Sequence, residues 1–88
     1  MKLKKVCVCV LGWHYDLKFY LKLNEVPNID VYLISHKKNY FIPKKLHSLQ
    51  AVKDIFIEPN FGYDWGGYQQ FIERGVWRKY EIIIFMHD

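Results

Sequence analysis

Residues 5–11 read KVCVCVL, a run in which valines at 6, 8 and 10 alternate with Cys7 and Cys9. In a strand successive side chains point to opposite faces, so the valines share one face and the two cysteines the other. Both sets are apolar, which predicts a strand buried on both sides rather than one with a wet face. Three more runs have the same character: residues 29–35 (IDVYLIS), 54–57 (DIFI) and 81–86 (EIIIFM). Short, continuous apolar strands of this kind belong to parallel sheets covered by helices on both faces.

The intervening segments supply those helices. Between the first two runs Leu17, Tyr20 and Leu21 recur at helical spacing until Pro27 and Asn28 stop the pattern. Between the last two, Trp65, Tyr68, Ile72 and Val76 form a stripe at three- and four-residue spacing, with Asp64 placed to cap the helix start. Residues 36–52 read as a loop followed by one short helix over 44–50. The alternation of strands and helices predicts an α/β fold: a Rossmann-like three-layer half-domain with a parallel four-stranded sheet and right-handed crossovers.

A chain of 88 residues holds one core, and an apolar fraction of 51% excludes a disordered chain. Residues 1–88 are therefore expected to form a single, partial domain, because the sequence stops at the carboxyl end of its last strand, where a site would be built. Cys7 and Cys9, side by side on one strand face, are poorly placed to bridge each other and read as small core residues in a reducing compartment. The opening MKLKKVCVCVLG has a basic head and an apolar body, but that body is short and no small-residue cleavage site follows, which argues against a signal peptide. No stretch is long and apolar enough to span a bilayer. The expected setting is the cytoplasm, free or peripheral to the inner face of the membrane.

The net charge of +4 favours anionic partners, and five lysines (Lys37, Lys38, Lys44, Lys45, Lys53) fall in a stretch without acids. One functional class consistent with this is a non-enzymatic α/β module that binds nucleic acid or anionic surfaces through residues 37–53. The aromatic residues do not interleave with these lysines, which ranks nucleic acid behind other ligands.

In an open parallel sheet, ligands bind outside the carboxyl ends of the strands, where the connecting loops converge. Gly12 stands alone in the first such loop, so the G-x-G-x-x-G cradle of nicotinamide and flavin enzymes is missing. Trp13 is a stacking surface for a base or a partly buried core ring. Ser35 and His36 lie at the end of the second strand, where a polar contact to ribose or base belongs, or else a solvated loop. The third loop reads EPNFGYDWGGY over residues 58–68. Pro59 fixes an extended start, Asn60 and Gly62 tolerate left-handed backbone, and Gly66 and Gly67 weaken the helix start by roughly 1 kcal/mol each, which suits close approach of another backbone or a ligand. Asp64 as a cap would occupy the free amides, making this helix a poor phosphate seat and a good acceptor for base or sugar. The last strand delivers His87 and Asp88 to the same rim, an oxygen-bearing pair for a divalent cation or simply a polar chain end.

Taken together, the valine-rich first strand, VYLIS, the N-x-G-x-D-x-G-G segment at residues 60–67 and IIIFMHD at 82–88 resemble the front half of a GT-A fold glycosyltransferase of the family 2-like, rhamnan-synthesis type. The 60–67 segment is similar to that family's Asn/Gly/Arg-rich turn, and IIIFMHD leads into the position of its D-x-D motif, although no complete D-x-D is present. The resemblance covers nearly the whole chain. It implies binding of a nucleotide-diphosphate sugar for transfer to a polysaccharide or glycan acceptor. By position, Leu11, Gly12, Trp13, Ser35, His36, Asn60, Gly62, Asp64 and Gly67 would bind the nucleotide sugar. Asp88 with His87 would hold Mn²⁺ or Mg²⁺ in the complete enzyme. The base that activates the acceptor would lie in a later part of such an enzyme, so this chain by itself is expected to be inactive.

Overall fold

The computed structural model describes residues 6–37 and 42–88. Lys5, taken as the opening of the first strand, and Lys38 of the lysine-rich stretch lie outside these residues. The elements are β1 (Val6–Gly12), α1 (Leu17–Glu25), β2 (Ile29–Ser35), α2 (Lys44–Ser48), β3 (Val52–Ile57), α3 (Tyr63–Arg74), a 3-10 turn (Val76–Lys79) and β4 (Ile82–His87). The four strands are all parallel, in the order β3-β2-β1-β4. Central β1 is paired on both sides, with Leu11 opposite Ile34 in β2 and His87 in β4.

The alternation read from KVCVCVL sorts the interior into two layers. On one face Val8 and Val10 pack with Val31 and Leu33, beneath Tyr20 of α1 and Leu46 of α2. On the other, Cys7, Cys9 and Leu11 pack with Tyr32 and Ile34 beneath Phe71 of α3. Burial on both faces holds for β1 and β2 alone. β3 and β4 are the sheet edges, and Ile57, Ile82, Ile84 and Phe85 are exposed there. An apolar run identifies a strand without saying how many neighbours cover it.

Two helix expectations need correction. α3 begins after Gly62, whose φ of 81° is left-handed and which occupies the cap position. Asp64 lies inside the first turn, and no side chain caps this helix. The buried residues of α3 are Gly67 and Phe71, one turn apart; of the expected stripe Tyr68 and Val76 pack against the core, whereas Trp65 and Ile72 are exposed. In α1 the expected pattern is closer: Tyr20 is buried and Leu17 packs on the core, with Leu21 turned outward. Asp16 caps that helix, its Oδ1 accepting from the Lys18 amide at 3.1 Å.

At the amino edge of the sheet, the Tyr80 hydroxyl donates to Asp30 Oδ2 at 2.7 Å and accepts from the Tyr32 hydroxyl at 2.9 Å. Lys53 Nζ lies 3.9 Å from the other oxygen of Asp30. This chain ties the segment before β4 to the base of β2. Among the described residues no helix is long and apolar enough to cross a membrane.

Cys7 and Cys9 are both free and buried. Burial, helped by the charge of Asp30, pushes the Cys7 thiol up to about 11. Burial, helped by Cys7, pushes Cys9 higher still. Both are neutral thiols near pH 8, and only thiolates attack disulfide reagents. The native protein is therefore expected to resist an aromatic disulfide reagent at pH 8 and to release two equivalents of thiolate after unfolding in guanidinium. Rapid reaction in the native state would contradict the second buried face of β1.

Candidate functional site

The carboxyl edge carries a cavity of about 350 Å³ lined by Leu11, Trp13, His36, Asn60, Tyr63 and Asp64. That volume is in the range of small-molecule clefts. Its walls come from the ends of β1 and β2 and from the loop that joins β3 to α3.

Glycines set how closely these walls approach. A Cβ on Gly67 would stand 2.6 Å from Leu11 Cδ1 and 3.4 Å from His36 Cε1, so α3 touches the cavity floor at a position with no side chain. A Cβ on Gly66 would run into the carbonyl oxygen of Phe61, which folds back over the helix start. The amide of Gly66 donates to the Gly62 carbonyl at 3.1 Å and closes this bend. Gly62 is left-handed, and Tyr63 after it also has positive φ, 53°. A left-handed tyrosine costs about 1–2 kcal/mol, a strain that functional loops commonly store. The bend leaves the rings of Phe61, Tyr63 and Trp65 on the surface at 71%, 78% and 83% exposure.

His36 is held from behind. The side-chain nitrogen of Gln70 donates to the Pro59 carbonyl at 2.7 Å, so its oxygen, 3.0 Å from His36 Nε2, is the acceptor. The imidazole therefore carries a proton on Nε2, and in the neutral ring Nδ1 is the acceptor. The same glutamine joins β2's end, α3 and the loop over the cavity. Arg74 pairs with Glu58 and lies 4.0 Å above the Phe56 ring, fixing the far end of α3 to β3. Trp13 is partly exposed, with Lys37 Nζ 4.5 Å above its ring. That places a positive charge beside an aromatic wall.

Four of the nucleotide-site candidates are structural supports instead of lining residues. Ser35 is fully buried on the α1 side, hydrogen-bonded to the Tyr15 hydroxyl and to the Lys37 amide at 3.1 Å. Gly12 lies under Tyr15, whose ring would stand 2.7 Å from an added Cβ and whose hydroxyl donates to the Gly12 carbonyl at 3.0 Å. Gly62 shapes the helix start, and Gly67 permits the contact of α3 with the floor. Tyr63, Gln70 and Tyr15 were missed by sequence reasoning. Tyr63 had a signal in its place between Gly62 and Asp64; the roles of Gln70 and Tyr15 rest on partners in other loops.

The residues matched to a metal do not fit one. β4 alternates, with Phe85 against Tyr68 and Phe71 on the α3 side and Met86 on the α1 side. His87 and Asp88 thus face opposite sides of the sheet. Asp88 turns toward α1, where Oδ1 accepts from the amides of Trp13 at 2.8 Å and His14 at 3.0 Å. Oδ2 accepts from the Tyr15 amide at 2.9 Å and the Tyr20 hydroxyl at 2.6 Å. Burial alone would raise this carboxyl, but the four hydrogen bonds outweigh it and hold its pKa below the usual value. Burial and the bond to Asp88 push the Tyr20 phenol well up. No group of three or more metal-ligating side chains comes together among the described residues.

Compared with known proteins, the chain gives no significant match to any family model, curated protein or solved structure.

The two paired glycines are expected to differ on substitution. Gly66→Ala meets backbone and should destabilise by more than about 3 kcal/mol, whereas Gly67→Ala meets the movable end of Leu11 and should cost about 1–3 kcal/mol. Urea unfolding midpoints check the order, and an unperturbed Gly66→Ala would refute the folded-back loop.

Proposed function

We propose that this chain is the nucleotide-sugar-binding portion of a glycosyltransferase, whose complete form transfers the sugar to a polysaccharide or glycan acceptor. The observation that carries the reading is the meeting of Leu11, Trp13, His36, Asn60 and Asp64, from the ends of β1, β2 and β3 and the start of α3, around one cavity at the carboxyl edge of a parallel sheet. Such edges are where α/β folds bind nucleotides. In this reading the base lies against the Trp13 and Tyr63 rings. Asp64, free of capping duty, accepts hydrogen bonds from a base N–H or from ribose hydroxyls. Asn60 supplies a donor and an acceptor beside it, and Lys37 brings positive charge toward the diphosphate. A divalent cation in the complete enzyme needs oxygen ligands other than the Asp88 carboxylate.

The lysine-rich alternative receives less support. Lys53 is paired with Asp30 at the amino edge, Lys37 lies over Trp13 at the carboxyl edge, and Lys44 and Lys45 are exposed on α2. Lys37 and Lys53 thus lie at opposite edges of the sheet, and the ion pair with Asp30 offsets the charge of Lys53.

Isothermal titration with UDP, GDP and dTDP, each with and without Mn²⁺, tests the proposal. One of them is expected to bind, with Trp13→Ala weakening it by about 1–3 kcal/mol through lost stacking. Asp64→Ala is expected to weaken the same nucleotide by about 1–3 kcal/mol through the lost charge-assisted hydrogen bonds. Absence of heat with all three nucleotides would sink the reading.

A further inference from the structure

Asp88 continues the ladder one residue beyond β4, its amide donating to the Leu11 carbonyl at 3.3 Å. An ionised carboxylate offers about four lone-pair sites, and here four protein donors fill them. Three of these donors are the successive amides of Trp13, His14 and Tyr15, converging as a backbone nest does on an anion. The fourth is the Tyr20 hydroxyl of α1. Tyr15 has φ of 58°, a left-handed conformation that persists only when its surroundings enforce it. Trp13, first of the three amides, carries the ring that walls the cavity. We propose that Asp88 is a positioning residue: its carboxylate fills an anion seat in the β1–α1 turn and thereby sets the Trp13 wall of the cavity, whatever ligand the cavity takes. The end of β4 thus shapes the pocket from beneath without coordinating a cation.

The experiment uses the full chain, isotopically labelled and followed by amide NMR. Asp88→Asn keeps one acceptor but turns an NH₂ donor toward donors, so the amides of residues 13–15 should exchange with solvent at least about tenfold faster and the Trp13 indole resonance should move. Tyr20→Phe removes one bond of the four and should move the same signals less. Asp88→Ala empties the seat, and formate, but not chloride at equal ionic strength, should return the three amide signals toward their wild-type positions. If Asp88→Ala fails to fold, the exchange rates of Asp88→Asn and Tyr20→Phe decide. Unchanged amides in Asp88→Asn would overturn the proposal, as would a folded Asp88→Ala that ignores formate. So would selective paramagnetic broadening of residues 13–15 in the wild-type chain by Mn²⁺ alone, the signature of an ion held at Asp88. Nucleotide titration of Asp88→Asn is a separate arm: if wild type binds no nucleotide, the functional reading fails while the amide signals still judge the seat.

Discussion

The parallel pairing of β1 with both neighbours is the constraint on which the other features depend. Because β2 and β4 run in the same direction as β1, the loops after β1 and β2 and the residue after β4 reach one edge. Reversal of either neighbour would send His36 or Asp88 to the far side, and neither the cavity nor the carboxylate seat would form. That pairing is stabilised by burial on both faces of the two middle strands. β1 and β2 are lined almost throughout by fully buried Val, Cys, Leu and Ile. Parallel strands need this cover, since their helical crossovers lie on the faces of the sheet.

On that edge two turns hold tyrosines in left-handed backbone, Tyr15 after β1 and Tyr63 at the first position of α3. Each strained position is enclosed by specific contacts. Tyr15 is gripped at its amide by Asp88 and at its hydroxyl by Gly12 and Ser35. Tyr63 follows Gly62 in a bend that only a bare Gly66 admits. The cavity between the turns is therefore shaped by fixed backbone, with side chains such as Trp13 and Asp64 mounted on it. This is the arrangement in which a binding site loses least entropy when a ligand arrives.

The sheet was legible because apolar alternation is a local signal. KVCVCVL and IDVYLIS state their own two-sided burial, and the loops they end in are fixed once the strands are parallel. The edges were not legible, since DIFI and EIIIFM read as apolar as the middle strands and only the strand order leaves them half uncovered. Asp64 was misread for a different reason: aspartate is a good cap by propensity, but left-handed Gly62 starts the helix two residues earlier and turns Asp64 into the cavity. The packing stripe of α3 was legible in part: Tyr68 and Val76 do pack on the core, but Gly67 meets Leu11 and Phe71 fills the interior, which leaves Trp65 and Ile72 outside. The partners of Asp88 lie more than 65 positions away along the chain, a separation that no periodicity or motif can announce.

These placements also sort charge within the rim. Three amides of the β1–α1 turn, ahead of the helix, are already satisfied by Asp88, and the Asp16 carboxylate caps α1 itself, where a phosphate would otherwise be attracted. Asp64 sits in the first turn of α3 and adds negative charge where that helix would otherwise attract an anion. Both helix starts thus carry an acidic side chain, and among the described residues Lys37 brings positive charge beside the cavity, above the Trp13 ring. On the proposed reading an amphoteric ligand has one favourable orientation: its N–H and hydroxyl donors toward Asp64 and Asn60, its anionic end toward Lys37. The reversed pose would set phosphate against the Asp64 carboxylate, a like-charge contact that costs several kcal/mol at close range, on the order of what electrostatic mismatch costs at protein interfaces. Orientation is in this way fixed by repulsion as much as by attraction.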